Sequence, residues 1–286
     1  MGNEKIKDIP SFLARVKSLH SLTNEGITLK NNDIYYRGQA NSKWKITAGL
    51  FRDKDYTLCE YDILNKATNT AYQYLKDCKN TFEKVVVMQH YGLKTRILDI
   101  TTNPLVALYF ACCDEFEKDG SVYYGYNELQ EPLIANLILD VVSEKNSNEL
   151  DNDYFGILAK KLSEIKEMSI SVETTKKFLA NSQCVCAPHN SPRIIAQRGA
   201  FIVAPLLEKK RDIYLKIKSH EFKVGEEEAF FGNIIIDHEK KKDIIQDLSD
   251  LGINEATLFP EMDHLMNYVN QIHSKDAFMN GYLIDI

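Results

Sequence analysis

The run QHYGLKTRILDITTNPLVALYFA at residues 89–111 decides the fold of the chain around it. Gln89-His90-Tyr91-Gly92 ends a predicted helix, and Asn103-Pro104 is typical of the start of another, with a capping side chain followed by proline. Between these helix ends lie a histidine, an arginine, an aspartate and two threonines. The start of a helix exposes backbone N–H groups that bind anions, so this run predicts a polar site for an anionic ligand.

A second segment, Ile34-Tyr35-Tyr36-Arg37-Gly38-Gln39, precedes this run in the chain. Its branched and aromatic residues predict a strand that ends at Arg37-Gly38. Glycine permits a sharp turn, or a close approach of the backbone to a ligand. Arginine recognises phosphate or carboxylate through two parallel hydrogen bonds, so Arg37 and Arg96 are the candidate anion-binding side chains.

Outside these segments, helical and β patterns predict an α+β fold with a mixed, mostly antiparallel sheet flanked by helices. Apolar residues three or four positions apart predict one long helix over 60–87 and further helices around 10–19, 163–179, 238–251 and 260–272. Runs rich in branched and aromatic residues predict strands at 121–126, 133–141, 194–204, 213–217 and 229–237. The polar residues 143–153 predict a flexible loop.

The composition is that of an ordinary globular protein, with 44% apolar and 27% charged residues among 286. The formal net charge of −6 gives no whole-chain support to nucleic-acid binding, although a local basic cleft is compatible with it. The sequence shows neither a signal-peptide pattern nor an apolar run long enough to span a membrane, and its six cysteines lack framework spacing. We therefore expect a cytoplasmic protein with free thiols and no membrane partner.

The two quoted segments resemble, in their order and approximate spacing, the two hallmark blocks of FRG domains, a family named for a Phe-Arg-Gly-type motif. The resemblance is clear over 34–111 and continues more weakly through SPRIIAQRGAF at 191–201 and LFPEMD at 258–263. Tyr36 stands where the family often has phenylalanine, an exchange that keeps the ring. The resemblance implies a single FRG-type domain over 1–286, with a motif core at 30–205 and a C-terminal strand and helix extension at 206–286.

The layout is also similar to that of ADP-ribosyltransferases, in which a strand arginine holds NAD, a Ser/Thr-containing strand supports the nicotinamide ribose and a later acidic residue assists reaction at the anomeric carbon. This similarity implies NAD as the substrate, with either ADP-ribose transfer or NAD hydrolysis as the reaction. Gln197 stands where the glutamate is expected, and a neutral amide cannot stabilise an oxocarbenium ion as a charge does, so Asp99 is the candidate substitute. The implied catalytic residues are Arg37, His90, Asp99 and Gln197, and the implied cofactor-binding residues are Tyr36, Gly38, Gln39, Arg96, Thr101, Thr102 and Asn103.

Two rival functions stay open. A non-catalytic sensor that binds a nucleotide or a protein partner through the same pocket fits the missing glutamate. A metal-dependent nuclease or hydrolase with His90 and Asp99 is the other rival. Cys184, Cys186 and His189 have a weak zinc-like spacing without the second pair that a structural zinc site normally needs. A setting in bacterial defence or toxin systems is implied by the family resemblance alone.

Several candidate residues also have structural interpretations. Arg96 and Asp99, three residues apart, are spaced for a mutual salt bridge that orders the loop between them. His90 follows a helix, where an imidazole interacts with the negative end of the helix dipole. Trp44 and Tyr109 are expected in the core rather than as stacking platforms for a ligand.

We predict that one concave polar pocket collects several candidates that lie at the ends of elements: Arg37, Gln39, His90, Arg96, Asp99 and Thr101. Gln197 is predicted beside this pocket, because Ile194-Ile195-Ala196 is interpreted as a strand and Arg198-Gly199 as a turn. An Arg37 side chain that faced away from residues 96–99 would contradict the prediction.

Overall fold

A computed structural model describes residues 4–21, 34–144, 151–188, 191–211, 213–225 and 228–261. The strands are β1 (Ile34–Gln39), β2 (Ile97–Thr101), β3 (Gly120–Tyr126), β4 (Gln183–Cys186), β5 (Gly199–Val203), β6 (Leu207–Lys210), β7 (Ile213–Lys216) and β8 (Gly232–Ile236). The helices are α1 (Ile9–Ser21), α2 (Lys54–Leu58), α3 (Glu60–Thr70), α4 (Tyr72–Leu75), α5 (Thr81–His90), α6 (Pro104–Cys112), α7 (Pro132–Glu144), α8 (Asn152–Lys166), α9 (Val172–Leu179), α10 (Pro192–Gln197), α11 (Lys241–Asp250) and α12 (Glu255–Leu258). Short 3-10 helices lie at Gly49–Arg52 and His238–Lys240.

Six strands form one sheet in the order β4-β5-β2-β1-β3-β8, and β6 pairs with β7 in a separate hairpin. The strand pairs of the sheet are antiparallel. Parallel pairing occurs at isolated bridges, such as Ile6 with Ile236. The predicted α+β fold with a mostly antiparallel sheet is therefore confirmed. β8, from the predicted C-terminal extension, is the edge strand beside β3.

The sheet is paired unevenly at its centre. β1 pairs with β3 over six residues and β2 pairs with β5 over five, whereas the pairing of β1 with β2 consists of Tyr36 opposite Thr101. Backbone groups beyond this one pair are not joined by a regular ladder. We call this poorly paired line between β1 and β2 the seam.

Helix α6 packs closely on the sheet because two glycines face it. A Cβ atom on Gly38 would lie 1.9 Å from the backbone oxygen of Ala107, and one on Gly120 would lie 2.2 Å from that of Ala111. Ala107 and Ala111 are about one helical turn apart, so they lie on the same side of α6. The glycine of the Tyr36-Arg37-Gly38 motif is thus required by helix packing.

Apolar clusters cover both faces of the sheet. Tyr36 belongs to a cluster shared with α1, α6 and α11, and Tyr35, on the opposite face of the same strand, belongs to another. A third cluster packs α3, α5, α7 and α8 against strands that include β2 and β5. Tyr109 is buried as predicted, but Trp44 is 47% exposed. The prediction for Trp44 is wrong because this residue lies in a surface turn after β1.

Several element predictions are wrong in type or extent. Residues 133–141 lie in α7 rather than in a strand, because an unbroken apolar run fits either structure. The predicted strand over 194–204 starts at Gly199, and the residues before it form α10, which Pro192 opens at the first helical position. The predicted helix over 60–87 is three helices, the last of which is capped by Asn80. Residues 163–179 likewise include parts of α8 and α9.

Some predicted features fall partly outside the described residues. Residues 262–272 of the predicted helix at 260–272 lie outside the described residues. Residues 145–150 of the predicted loop at 143–153 also lie outside them. The two ends of that loop belong to α7 and to the start of α8. Among the helices that the structure describes, none has both the length and the apolarity needed to cross a membrane. The six cysteines are free thiols.

Candidate functional site

A polar cleft of about 240 Å³, the small cleft, opens at the seam. The predicted site residues that line it are Tyr36, Arg37, Gly38, His90, Asp99, Thr101 and Gln197. Its other lining residues are Gln89, Ile100, Val106, Phe110 and Arg193. Residues from β1, α5, β2 and α10 therefore meet in one cleft. This is the convergence predicted for Arg37, His90, Asp99 and Thr101.

Arg37 spans the seam. Its Nη1 donates a hydrogen bond to the backbone oxygen of Asp99 at 2.6 Å. Its Nε is buried and has no hydrogen-bond partner among the described residues. Burial lowers the pKa of the guanidinium and the charge of Asp99 raises it. Arginine stays protonated in proteins, so Arg37 is a cation that is anchored on one side and has an unused donor on another.

The Asp99 carboxylate is an exposed group at the edge of the small cleft. Gln89 Nε2 donates to Asp99 Oδ1 at 3.0 Å, and Gln89 Oε1 in turn accepts from the hydroxyl of Thr95. Burial and then the charge of Arg193 lower the pKa of His90, while nearby carboxylates act in the opposite direction. His90 is therefore neutral near pH 7, with one ring nitrogen as donor and the other as acceptor.

Gln197 lies beside the small cleft as predicted, although at the end of a helix rather than on a strand. Its backbone oxygen accepts from the Thr101 hydroxyl at 2.6 Å, and its side-chain Nε2 donates to Leu258 O at 3.0 Å. Arg198 follows with φ 45°, a left-handed conformation that ends α10 and leads into β5. The amide nitrogen of Gln197 is thus engaged within the protein.

A second cleft of about 710 Å³, the large cleft, adjoins the small one. Arg37, Gly38 and Phe110 line both clefts. The large cleft also contains Gln39, Ala40, Lys43, Trp44, Lys45, Thr47, Phe51, Arg52, Cys113 and Asp114. Gln39, predicted for the pocket with Arg37, lies here, and its Oε1 is buried with no hydrogen-bond partner in the described part of the chain.

The prediction that Arg96 contacts a ligand or Asp99 is wrong. Its side chain is fully buried, and its Nε donates to Glu60 Oε1 at 2.7 Å in a paired ion bridge. Its Nη1 donates to Pro205 O at 2.8 Å. Successive residues of an extended chain face opposite sides, so Arg96, immediately before β2, and Asp99, three positions later, point to opposite faces of the sheet.

Thr102 and Asn103 are not among the residues that line the two clefts. Thr102 N donates to Arg198 O at 3.1 Å. The Asn103 side chain caps α6 by accepting from Leu105 N at 3.0 Å, as the sequence predicts. The structure gives both residues a role in fixing the turn from β2 to α6.

Sequence reasoning missed Arg193 and Phe110 in the small cleft, and Lys43 and Arg52 in the large one. Arg193 lies on α10 with its guanidinium 4.5 Å from the ring centre of Phe259. A signal existed for Arg193, because it falls within the segment 191–201 that resembles the family. Lys43 gave no such signal, because a lysine in a polar turn is ordinary.

Potential metal ligands cluster away from both clefts, at Asp119, Asp237 and His238. Asp119 already pairs with Lys5 Nζ at 2.9 Å and with His238 Nδ1 at 3.1 Å, so protein groups account for this cluster. His189, the third residue of the weak zinc pattern, lies outside the described residues.

The fold and the clefts define a class of protein: an α+β domain whose antiparallel sheet is poorly paired at its centre, with an arginine, a histidine and an aspartate lining the cleft there. The model of the FRG domain matches residues 32–120. The chain therefore contains an FRG domain, which includes β1, the polar run between α5 and α6, and α6 itself. Searches of curated proteins and of solved structures return no significant match.

Proposed function

We propose that this protein binds NAD or a related nucleotide at the seam, in the manner of an ADP-ribosyltransferase. Arg37 carries the proposal, because its guanidinium is anchored on Asp99 O and its buried Nε has no partner among the described residues. A buried donor without an acceptor costs free energy, and a phosphate oxygen in the cleft satisfies it. The proposal includes that the protein acts in the cytoplasm, where NAD is available.

The other residues of the small cleft suit the sugar that follows the phosphate. The Asp99 carboxylate can accept hydrogen bonds from ribose hydroxyls. Neutral His90 can accept one hydrogen bond and donate another. Thr101 already donates to Gln197 O, so its hydroxyl shapes the wall of the cleft.

The reaction proposed for this cleft is cleavage of the bond between ribose C1′ and the nicotinamide nitrogen. The electron pair of that bond passes to the nicotinamide nitrogen, and positive charge develops on the ribose. Asp99 is the carboxylate in the wall of the small cleft, so we assign it the role of stabilising that charge. Water or an acceptor group then bonds to C1′ and gives up its proton, which yields hydrolysis or transfer.

A non-catalytic sensor is the second candidate, and the contacts of Gln197 favour it. The third position of the transferase layout holds a neutral amide whose nitrogen is bonded to Leu258 O. A sensor binds the same ligand at Arg37 and releases it unchanged. Turnover of bound NAD by the wild-type protein therefore separates the two candidates.

Replacing Arg37 with alanine is expected to weaken NAD binding by at least about 100-fold, because hydrogen bonds to charged groups contribute about 1.5–3 kcal/mol each. Isothermal titration calorimetry measures the affinity, and melting temperatures with NAD, ATP and ADP-ribose identify the preferred ligand. Lys160→Ala, which removes an exposed cation from α8, is the control and should bind normally. An Arg37→Ala variant that folds and binds NAD as tightly as the wild type would contradict the proposal.

Replacing Asp99 with asparagine is expected to lower turnover of NAD by at least about 100-fold, the effect of removing one group that stabilises transition-state charge. Affinity for NAD should change much less than turnover, because asparagine keeps an oxygen that can accept hydrogen bonds from the ribose hydroxyls. Asparagine still offers an oxygen to Gln89 Nε2, so the local hydrogen bond survives. Chromatography of released nicotinamide measures turnover, and equal turnover in both proteins would rule out this role for Asp99.

A further inference from the structure

We propose that the large cleft binds the adenosine phosphate half of the ligand, with the adenine base stacked on Trp44. This inference rests on the proposed function of the small cleft and extends it to a dinucleotide held across Arg37. The two clefts meet at Arg37, Gly38 and Phe110, which line both. A dinucleotide has the matching form, with two nucleoside halves joined by a pyrophosphate.

Volume is the first argument. The small cleft measures about 240 Å³. Sites for drug-sized ligands occupy about 300–1,000 Å³, so a whole dinucleotide does not fit there. The large cleft, at about 710 Å³, is within that range and directly adjoins Arg37. A ligand whose phosphates lie at Arg37 therefore has space for its second half on this side.

Charge is the second argument. The cations that line the large cleft are Arg37, Lys43, Lys45 and Arg52, against one lining carboxylate, Asp114, in a chain of formal charge −6. Lys45 Nζ already pairs with Glu221 Oε2 at 2.7 Å, so Arg37, Lys43 and Arg52 carry the charge argument. Arg37 and Arg52 line the same cleft, and repulsion from Arg52 adds to burial in lowering the pKa of Arg37. An anion between them removes that repulsion and gains from both charges. This cluster of cations is a local basic cleft of the kind that is compatible with the negative net charge of the chain.

Trp44 is the third argument. It is 47% exposed in the wall of the large cleft, although a large aromatic side chain gains most by burial. Its backbone N–H donates to Asn41 O at 3.1 Å, which fixes the turn that carries the ring. Lys43 and Lys45 flank it in the sequence. An exposed aromatic ring among cations is the arrangement with which proteins stack a base and hold its phosphate.

Another part of the large cleft's wall is held in place by Lys241, whose side chain is fully buried. Its Nζ donates to Ala40 O at 2.6 Å, Asp114 O at 2.9 Å and Glu115 O at 3.0 Å. Ala40 and Asp114 both line the large cleft. One ammonium group from α11 thus joins the end of β1 to the loop after α6. A cleft fixed in this way binds a ligand without first ordering its own walls.

The test uses three probes on the full chain: NAD, nicotinamide mononucleotide, which matches the small cleft and Arg37, and AMP, which matches the large cleft. Trp44 is the single tryptophan, so its fluorescence reports directly on stacking in the large cleft. NAD and AMP are expected to quench this fluorescence, and nicotinamide mononucleotide is not. Trp44→Ala should weaken NAD and AMP binding by at least about tenfold in calorimetry, which is within the range known for loss of base stacking.

Trp44→Phe keeps a ring for stacking and should recover most of the lost affinity. Trp44→Ala should leave the affinity for nicotinamide mononucleotide within about twofold of wild type, since that probe occupies the other cleft. Tyr72→Ala removes an exposed ring that is 64% accessible and lines neither cleft, so it should change nothing.

The failures of the two proposals are distinguishable. If NAD binds but Trp44→Ala keeps its full affinity, the assignment of the large cleft is overturned while the small-cleft function stands. If AMP binds and quenches while nicotinamide mononucleotide fails to bind, the large cleft is confirmed as a nucleotide site and the small-cleft function is overturned. Absence of binding by all three probes overturns both.

Discussion

Glu60→Ala is expected to destabilise the protein by about 3–5 kcal/mol, because it leaves the fully buried Arg96 without its counter-ion. Arg96 Nε donates to Glu60 Oε1 at 2.7 Å, and its Nη2 pairs with the second carboxylate oxygen. The two remaining acceptors, Ala204 O at 3.2 Å and Pro205 O at 2.8 Å, are neutral and cannot replace the lost charge. Urea unfolding monitored by circular dichroism measures the change.

Two further variants separate loss of the charge pair from loss of packing. Glu60→Gln keeps an oxygen that can accept a hydrogen bond but removes the charge, so an intermediate loss is expected. The double variant with Glu60→Ala and Arg96→Met removes both charges and should be more stable than Glu60→Ala alone. Arg96→Met alone completes the comparison, and a double variant as unstable as the sum of Glu60→Ala and Arg96→Met would show that the charges are not coupled.

Gly38→Ala is expected to cost more than about 3 kcal/mol, or to prevent folding, because the added Cβ would lie 1.9 Å from Ala107 O and 2.8 Å from Ala111 N. Both are backbone atoms of α6, so relief requires a shift of the whole helix away from β1. Overpacking usually costs about 1–3 kcal/mol where side chains can yield, and here a helix backbone must move. The same unfolding experiment measures the loss.

The matched control is Gly156→Ala on α8, where an added Cβ has no atom within 4 Å. Alanine is favoured over glycine in a helix interior by about 0.8–1 kcal/mol, so this variant should be more stable than wild type. Gly38→Ala with wild-type stability would show that α6 does not depend on close contact with β1.

The sequence predicted the core of the site where local signals were strong. The N-cap by Asn103 and the proline after it specify the start of α6, and the residues of β1 specify a strand, so Arg37 and Asp99 could be placed together. Arg96 could not be placed correctly, because its partner Glu60 lies 36 residues earlier on an amphipathic helix. Helical periodicity identifies a buried face but not which acidic residue at its edge will be enclosed.

Other parts of the fold had no decisive local signal. Residues 133–141 form an apolar run that suits a helix or a strand equally. Packing of α7 against the helices around it determines that the run is helical. The exposure of Trp44 depends on where the turn after β1 lies relative to the rest of the fold, which residue type does not encode. The large cleft therefore could not be predicted from the sequence, although the sequence shows each of its cationic residues.

The seam has a consequence for how stability is distributed in the molecule. Because β1 and β2 meet at a single paired position, the strands on either side are tied more strongly to their own neighbours than to each other. We expect such units to open in separate steps, which amide hydrogen exchange would detect as different protection factors on the two sides of the seam. A ligand bound across Arg37 fastens the two units together, so it should slow exchange in both at once and make unfolding more cooperative. Ligand binding in the clefts should then be detectable as slower hydrogen exchange of amides that lie far from the clefts.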